Sequence, residues 1–167
     1  EYFDRFEVVP AQEAAEDPGL LDGLMLEDLL RHECSAPQET RIISYGEYTP
    51  LVAARLREKF GLEGAKLQEA ELFRNKVLMK EKVAEHVRVP AFTRFSREQF
   101  KQDPTGYLDS LHKELGERLV LKPQNASSAL ATIIVSRDNG VAAVEDCLKL
   151  YGGPFEAEEF VDGDLYS

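Results

Sequence analysis

Cysteine is scarce in these 167 residues: Cys34 and Cys147 lie far apart and outside any Cys-x-x-Cys or Cys/His spacing. A disulfide framework and a structural zinc site therefore both lack support, and two reduced packing thiols are expected. Histidine is sparse too. His32, His86 and His112 show no metal-ligand spacing and are expected to be structural or solvated. No apolar run approaches the ~20 residues of a membrane span, and residues 1–20 are acidic where a signal peptide would be basic. The expectation is a soluble cytoplasmic protein with no membrane partner. Basic side chains are outnumbered 20 to 31, giving a net charge of −11 with no basic cluster along the chain. Such a surface repels a phosphodiester backbone, so nucleic acid is not expected as a partner. Asn125-Ala126-Ser127 matches a glycosylation sequon, which without a secretory signal reads as chance. Internal repeats and low-complexity tracts are also absent.

With 43 % hydrophobic residues, the chain is long enough for one compact domain or two small lobes. Glu7-Val8-Val9 reads as a short strand, and Leu20 to Arg31 carries apolar residues at helical spacing. Arg41 to Ser44 reads as a brief strand ending at Tyr45-Gly46. Thr49 and Pro50 stand as N-cap and first-turn proline for a helix from Leu51 to Phe60, closed by Gly61. Leu72 to His86 carries a helical apolar stripe, with Lys76, Lys80, Glu81 and Glu85 as an ordinary solvated face around it. Ala91 to Phe95 is then a strand. Ser96 with Gln99 forms a capping box, and Asp103-Pro104 opens a helix running to Gly116. Arg118 to Lys122 and Ala131 to Ser136 read as a hairpin around a small polar loop. A helix from Val141 to Leu150 and a strand from Glu156 to Val161 follow. Asp162-Gly163-Asp164 then turns into a strand opened by Leu165. A chain stopping there leaves an unfinished strand at a sheet edge, so a segment of a longer protein is expected.

Three groups of residues invite a chemical reading, each beside a plainer one. Lys122 ends an apolar strand, where a compact mobile cation meets a loop and can contact phosphate; a surface lysine before a turn is the alternative. The loop from Gln124 to Ala129 is small enough for its backbone N–H groups to approach an anion. Lys76 lies at the start of a helix whose other charges look solvated. Glu158 and Glu159 are neighbours on a strand, so at most one of them faces a given cleft. Polar residues on an edge strand are the alternative there.

Their order joins them. Asn75-Lys76 at a helix start, Val87-Arg88-Val89-Pro90, Leu119-Val120-Leu121-Lys122-Pro123 with its loop, and Glu158-Glu159-Phe160-Val161-Asp162-Gly163 together resemble the ATP-grasp superfamily. Upstream, Ser44-Tyr45-Gly46-Glu47, Ala53-Ala54-Arg55-Leu56 and Phe60-Gly61-Leu62-Glu63-Gly64 are similar to the end of the Rossmann-like domain that precedes the grasp in amino-acid ligases. The resemblance covers about residues 40–167. It implies an α/β fold in which residues 1–68 are the C-terminal part of the pre-ATP-grasp domain. Residues 69–167 would be the linking helix and the incomplete first α+β subdomain of the ATP-grasp fold.

The resemblance also implies ATP and Mg2+ as cofactors and small carboxylate and amine substrates as partners, with a homodimer left open. The reaction would form an amide or peptide bond through an acyl phosphate. The nearest alternatives are a biotin-carboxylase-like or purine-pathway enzyme, a non-catalytic nucleotide-binding or interaction module, and a generic α/β domain. By the same resemblance, Lys76 and Lys122 bind the ATP phosphates, Glu158 lies near the adenine amino group, and Glu159 to Val161 form the backbone hinge beside the base. Asp164 approaches the ribose, although relatives carry glutamate where this chain has Leu165. Ser127 and Ser128 contact phosphate from a loop in which Ser127 and Ala131 stand where relatives have glycine. The expectation there is a differently shaped flap or a slack nucleotide grip. No catalytic residue and no metal ligand is assigned within the chain, because the magnesium carboxylates and the arginine that steadies the acyl phosphate lie farther on in relatives.

Overall fold

The computed structural model describes residues 23–34, 36–46, 49–126 and 129–164. The strand expected at Glu7–Val9, the loop serines Ser127 and Ser128, and the strand opened by Leu165 lie outside these residues. The chain divides into two compact units, Glu1–Glu71 and Leu72–Ser167.

The first unit contains helix α1 (Gly23–Glu33), helix α2 (Pro50–Phe60) and most of α3 (Leu67–Arg74). Pro50 takes the first helical position of α2, where its missing N–H costs nothing. Gly61 closes the helix in the left-handed conformation (φ 65°), its N–H returning to the last turn. Thr49 occupies the N-cap position without capping; its hydroxyl faces Ser44 Oγ at 2.5 Å and donates to the Gly46 carbonyl at 3.2 Å. Ala53, Ala54, Leu56, Leu62 and Ala70 are the buried residues here among those described. Residues 41–44 do not form the expected strand. The segment has no ladder partner among the described residues, and Arg57 Nη2 donates to the Ile42 carbonyl at 2.7 Å instead. A cavity of about 470 Å³ beside this segment is walled mainly by apolar side chains such as Leu26, Ile42 and Val52, and none of the expected site residues lines it.

The second unit holds helix α4 (Lys76–Val83), strand β1 (Phe92–Phe95), helices α5 (Arg97–Gln102) and α6 (Pro104–Leu115), strands β2 (Arg118–Pro123) and β3 (Ile133–Ser136), helix α7 (Gly140–Leu150) and strand β4 (Phe155–Glu159). The four strands form one antiparallel sheet in the order β1-β4-β2-β3. The β2–β3 hairpin matches the sequence reading, and so do the helix starts at Ser96 and Asp103, but only half of the expected capping box forms, because the Ser96 N–H donates to the Tyr107 hydroxyl at 2.8 Å and not to Gln99. Ser96 Oγ accepts from the Gln99 N–H at 3.2 Å, and Asp103 from that of Gly106 at 3.0 Å. The helical stripe from Leu72 to His86 is broken into α3 and α4 at Asn75, and its members Phe73 and Val83 are exposed.

Alternation along the strands gives the sheet two different faces. Leu119, Leu121, Phe155, Ala157 and Phe95 point to one face and build a core with Leu108, Leu111 and Leu115 of α6 and Val144 and Cys147 of α7. Arg97 closes one end of this layer. Its guanidinium donates to the carbonyls of Leu148, Tyr151 and Gly153, which satisfies the end of α7 and the turn into β4. No helix among the described residues is long and apolar enough to cross a membrane.

Candidate functional site

The other face of the sheet carries charge. Lys122 and Glu156 are register partners across β2 and β4, and Glu158 pairs with Val120 on one side and Phe92 on the other. Lys122, Glu156, Glu158 and Phe92 therefore share that face. Helix α4 supplies Lys76 and Lys80, one turn apart and so on one side of the helix.

Asn75 is the reason α4 begins at Lys76. Its side-chain oxygen accepts from the N–H groups of Val77 (3.0 Å) and Leu78 (3.2 Å). Its amide nitrogen donates to Gln124 Oε1 at 3.2 Å, and the Lys76 N–H donates to the Gln124 carbonyl at 3.0 Å. The buried Gln124 then reaches β4: its Nε2 donates to the Phe155 carbonyl at 2.8 Å and its N–H to that of Pro154 at 2.9 Å. One residue thus pins the start of α4, the end of β2 and the start of β4.

The charges are arranged around two carboxylates. Lys122 donates to Glu158 Oε1 in a very short bond and stands 3.8 Å from Glu156 Oε1. Lys80 donates to Glu158 Oε2 at 2.6 Å, lies 2.9 Å from Glu156 Oε2, and rests 4.6 Å from the centre of the Phe92 ring. Glu156 has no exposed surface. Lys80 and Lys122 attract it through charge, yet neither carboxylate oxygen receives a well-directed hydrogen bond. Burial pushes its carboxyl above the ordinary carboxylate range, with the two lysines pulling against the rise. Burial pushes on Glu158 as well, but the hydrogen bonds from Lys122 and Lys80 outweigh it and hold that carboxyl below the ordinary range.

Lys76 stands apart from the carboxylates. Its ammonium donates to the carbonyls of Ala126 (2.6 Å) and Pro123 (3.2 Å). Burial first, and the neighbouring charge of Lys122 second, lower its pKa. Two cations that repel each other beside a loop form a place where an anion is favoured, because it would offset both.

The loop itself differs from its expected form. The carbonyls of Pro123, Gln124, Asn125 and Ala126 turn to the 74–76 segment, with Arg74 donating to Asn125 at 2.9 Å. Where relatives were expected to need glycine, Ala131 takes a left-handed conformation all the same (φ 50°), and so does Ala129 (φ 57°). Each such residue costs roughly 1–2 kcal/mol relative to right-handed backbone.

The remaining expected residues fall as follows. Glu159 lies on the opposite side of β4 from Glu158, half-buried, with Arg88 Nη2 at 3.2 Å. Its N–H donates to the Ala91 carbonyl and that of Phe160 to the Arg118 carbonyl, after which the chain leaves the sheet through the exposed Val161 and Asp164. His112 is buried, with Nδ1 2.9 Å from the Gly116 carbonyl, while His32 and His86 are exposed. Among the described residues, no group of three or more His, Cys, Asp or Glu side chains is placed to hold a metal ion.

Sequence reasoning missed Lys80, Glu156 and Gln124. Lys80 is expected on a solvated face, but its side chain is only 12 % exposed. The overlooked signals were short ones: Lys80 lies four residues after Lys76 on a helix, and Glu156 two residues before Glu158 on a strand.

No protein-family model matches the chain, and no curated protein sequence does. Solved structures do. The chain is similar to an L-amino acid ligase from Bacillus licheniformis, with a TM-score of 0.60 and 21 % identity over 88 % of this chain and 32 % of that one. It is also similar to a D-alanine-D-alanine ligase from Helicobacter pylori (0.54, 19 %, over 71 % and 34 %). A third likeness is to the biotin carboxylase domain of the Hydrogenobacter thermophilus 2-oxoglutarate carboxylase, solved with MgADP (0.57, 19 %, over 85 % and 32 %). At these identities the likeness is one of fold, and the chain spans about a third of the length of each of the three.

Proposed function

From the ATP-grasp fold that this chain shares in part with those enzymes, we propose that it is a segment of an ATP-dependent ligase and supplies one wall of the ATP site. The observation that carries this reading is the convergence of Lys76, hydrogen-bonded to the carbonyls of Pro123 and Ala126, with Lys122 at the end of the strand that leads into them, and with Glu158 on the same face as Lys122. In this reading Lys76 and Lys122 hold the phosphates, and Glu158 accepts a hydrogen bond from the amino group of adenine. Glu159 to Val161 form the backbone edge beside the base, Asp164 lies toward the ribose, and Ser127 and Ser128 add hydroxyl contacts to phosphate. Residues 1–68 are then the end of a Rossmann-like domain and residues 69–167 the start of the grasp.

The proposed reaction transfers the γ-phosphoryl group of ATP to a small carboxylate, releasing ADP and giving an acyl phosphate; an amine then attacks the acyl carbon, expels phosphate and loses a proton to give an amide or peptide bond. The lysines would offset charge that shifts between the β- and γ-phosphates. Magnesium would be held by oxygen ligands that, on the likeness to ATP-grasp ligases, lie outside the described residues. A cytoplasmic location belongs to the same reading.

The test is to mix the full-length protein with ATP, magnesium and a panel of amino acids and to measure phosphate release. Release stimulated by a carboxylate and amine pair supports the ligase. ATP binding without stimulated release by any pair would leave a nucleotide-binding module and remove the ligase.

A further inference from the structure

Two lysines grip one carboxylate, and they differ in freedom. Lys122 reaches Glu158 Oε1 from the end of β2, where its side chain is 21 % exposed and its second carboxylate is 3.8 Å away. Lys80 reaches Glu158 Oε2 from α4, is 12 % exposed, and is confined on three sides by Glu158 at 2.6 Å, Glu156 at 2.9 Å and the face of the Phe92 ring. An anion arriving beside the loop draws on Lys122, the more exposed of the two lysines and the one with a single close carboxylate. Lys80 is held back, because leaving would strand the fully buried Glu156 without a close counter-charge.

We propose that Lys80 is a positioning residue for nucleotide selection, holding Glu158 ionised and fixed in orientation so that it accepts a hydrogen bond only from a base presenting an amino group. This inference rests on the reading that Lys76 and Lys122 hold phosphates while Glu158 meets the base. A carboxylate is an acceptor only, whereas a protonated carboxyl also donates. While Lys80 remains in place, Glu158 stays a pure acceptor even after Lys122 turns to the phosphates. A base with a ring carbonyl in place of the amino group then sets acceptor against acceptor. Without Lys80, two carboxylates share the single cation Lys122, and Glu158 takes up a proton once that cation is drawn away. It can then donate to the carbonyl base.

The experiment compares ATP with inosine triphosphate, whose base has a carbonyl in place of the amino group and a proton on the adjacent ring nitrogen; the second difference is the same for every variant, so the change in preference on altering Lys80 is what is read. Binding of each to the full-length protein is measured by calorimetry at neutral pH. The wild type is expected to favour ATP by about tenfold or more. In Lys80→Met, ATP affinity falls by about tenfold while inosine triphosphate affinity holds or rises, so the preference collapses toward unity; Lys80→Arg restores it. Should Lys80→Met fail to fold, Lys80→Gln, which retains a donor without the charge, is measured in its place with the same expectation. An equal loss for both nucleotides, or a preference indifferent to Lys80, overturns the proposal while leaving the ATP site standing. Binding of neither triphosphate by the wild type overturns the ATP-site reading and this inference with it.

Discussion

The two faces of the four-stranded sheet are made by alternate residues of the same strands, yet they are held by different forces. On one, Leu119, Leu121, Phe155 and Ala157 meet the apolar sides of α6 and α7, and the contacts depend little on direction. On the other, Lys122, Glu156, Glu158 and Lys80 are nearly as secluded, and each depends on having a counter-charge at the right distance. Apolar burial stabilises outright, whereas paired buried charges largely offset their own desolvation and contribute orientation. The first face accounts for why the unit folds, and the second for why its lysines and carboxylates stand where a ligand can use them.

That contrast can be broken most forcefully at Leu121. Leu121→Ala leaves a void in the apolar layer and should cost about 2–5 kcal/mol in urea unfolding. Lys122→Ala tests the opposite face: two buried carboxylates are left to share Lys80, so unfolding should lose about 1–3 kcal/mol, while ATP affinity of the full-length protein falls by about tenfold or more. A reverse pattern, with large destabilisation and intact affinity, would make the charged face a structural layer.

Glu156 offers a sharper probe through pH. Its carboxyl is raised above the ordinary value of 4.5, so its ionisation opposes folding. Stability from this group is therefore fully present below about 4.5 and is lost as pH rises through the folded-state pKa. Glu156→Gln removes that loss. The variant should gain on the wild type as pH rises above about 4.5 and level off once the folded-state carboxyl is ionised. Glu158 works in the other direction, its stabilisation fading as pH falls, and because it shares Lys80 and Lys122 with Glu156 its part is separated by measuring Glu158→Gln and the double variant in parallel. A difference that stays flat with pH would mean that Glu156 does not titrate differently on folding. The smallest effect is expected at Ala129, exposed and left-handed: Ala129→Gly should raise unfolding free energy by a few tenths to about 1 kcal/mol.

Much of the second unit could be read in advance because its signals are local. Ser96 and Asp103 announce helix starts through their own side chains, and the apolar strand ending at Lys122 announces itself by composition. Lys80 and Glu156 could not be read that way. Their significance comes from the β2–β4 register and from α4 lying beside it, which join positions 34 and more residues apart in the chain. The break at Asn75 was half legible, since Asn75-Lys76 suggested a helix start while the apolar stripe ran through it. The segment 41–44 misled because β-branched residues indicate an extended chain and say nothing of a neighbouring strand to pair with.

Gln124 has one more consequence. In an antiparallel ladder, a slip of one residue turns every side chain to the other face, and here it would drive Lys122 into the apolar layer and Leu121 out of it. Side-chain alternation alone guards against that error only after the sheet has closed. Gln124, with both ends of its amide and both of its backbone polar groups engaged on α4 and β4, behaves as a detent: the strand clicks into one alignment, and a near miss forfeits all four bonds at once.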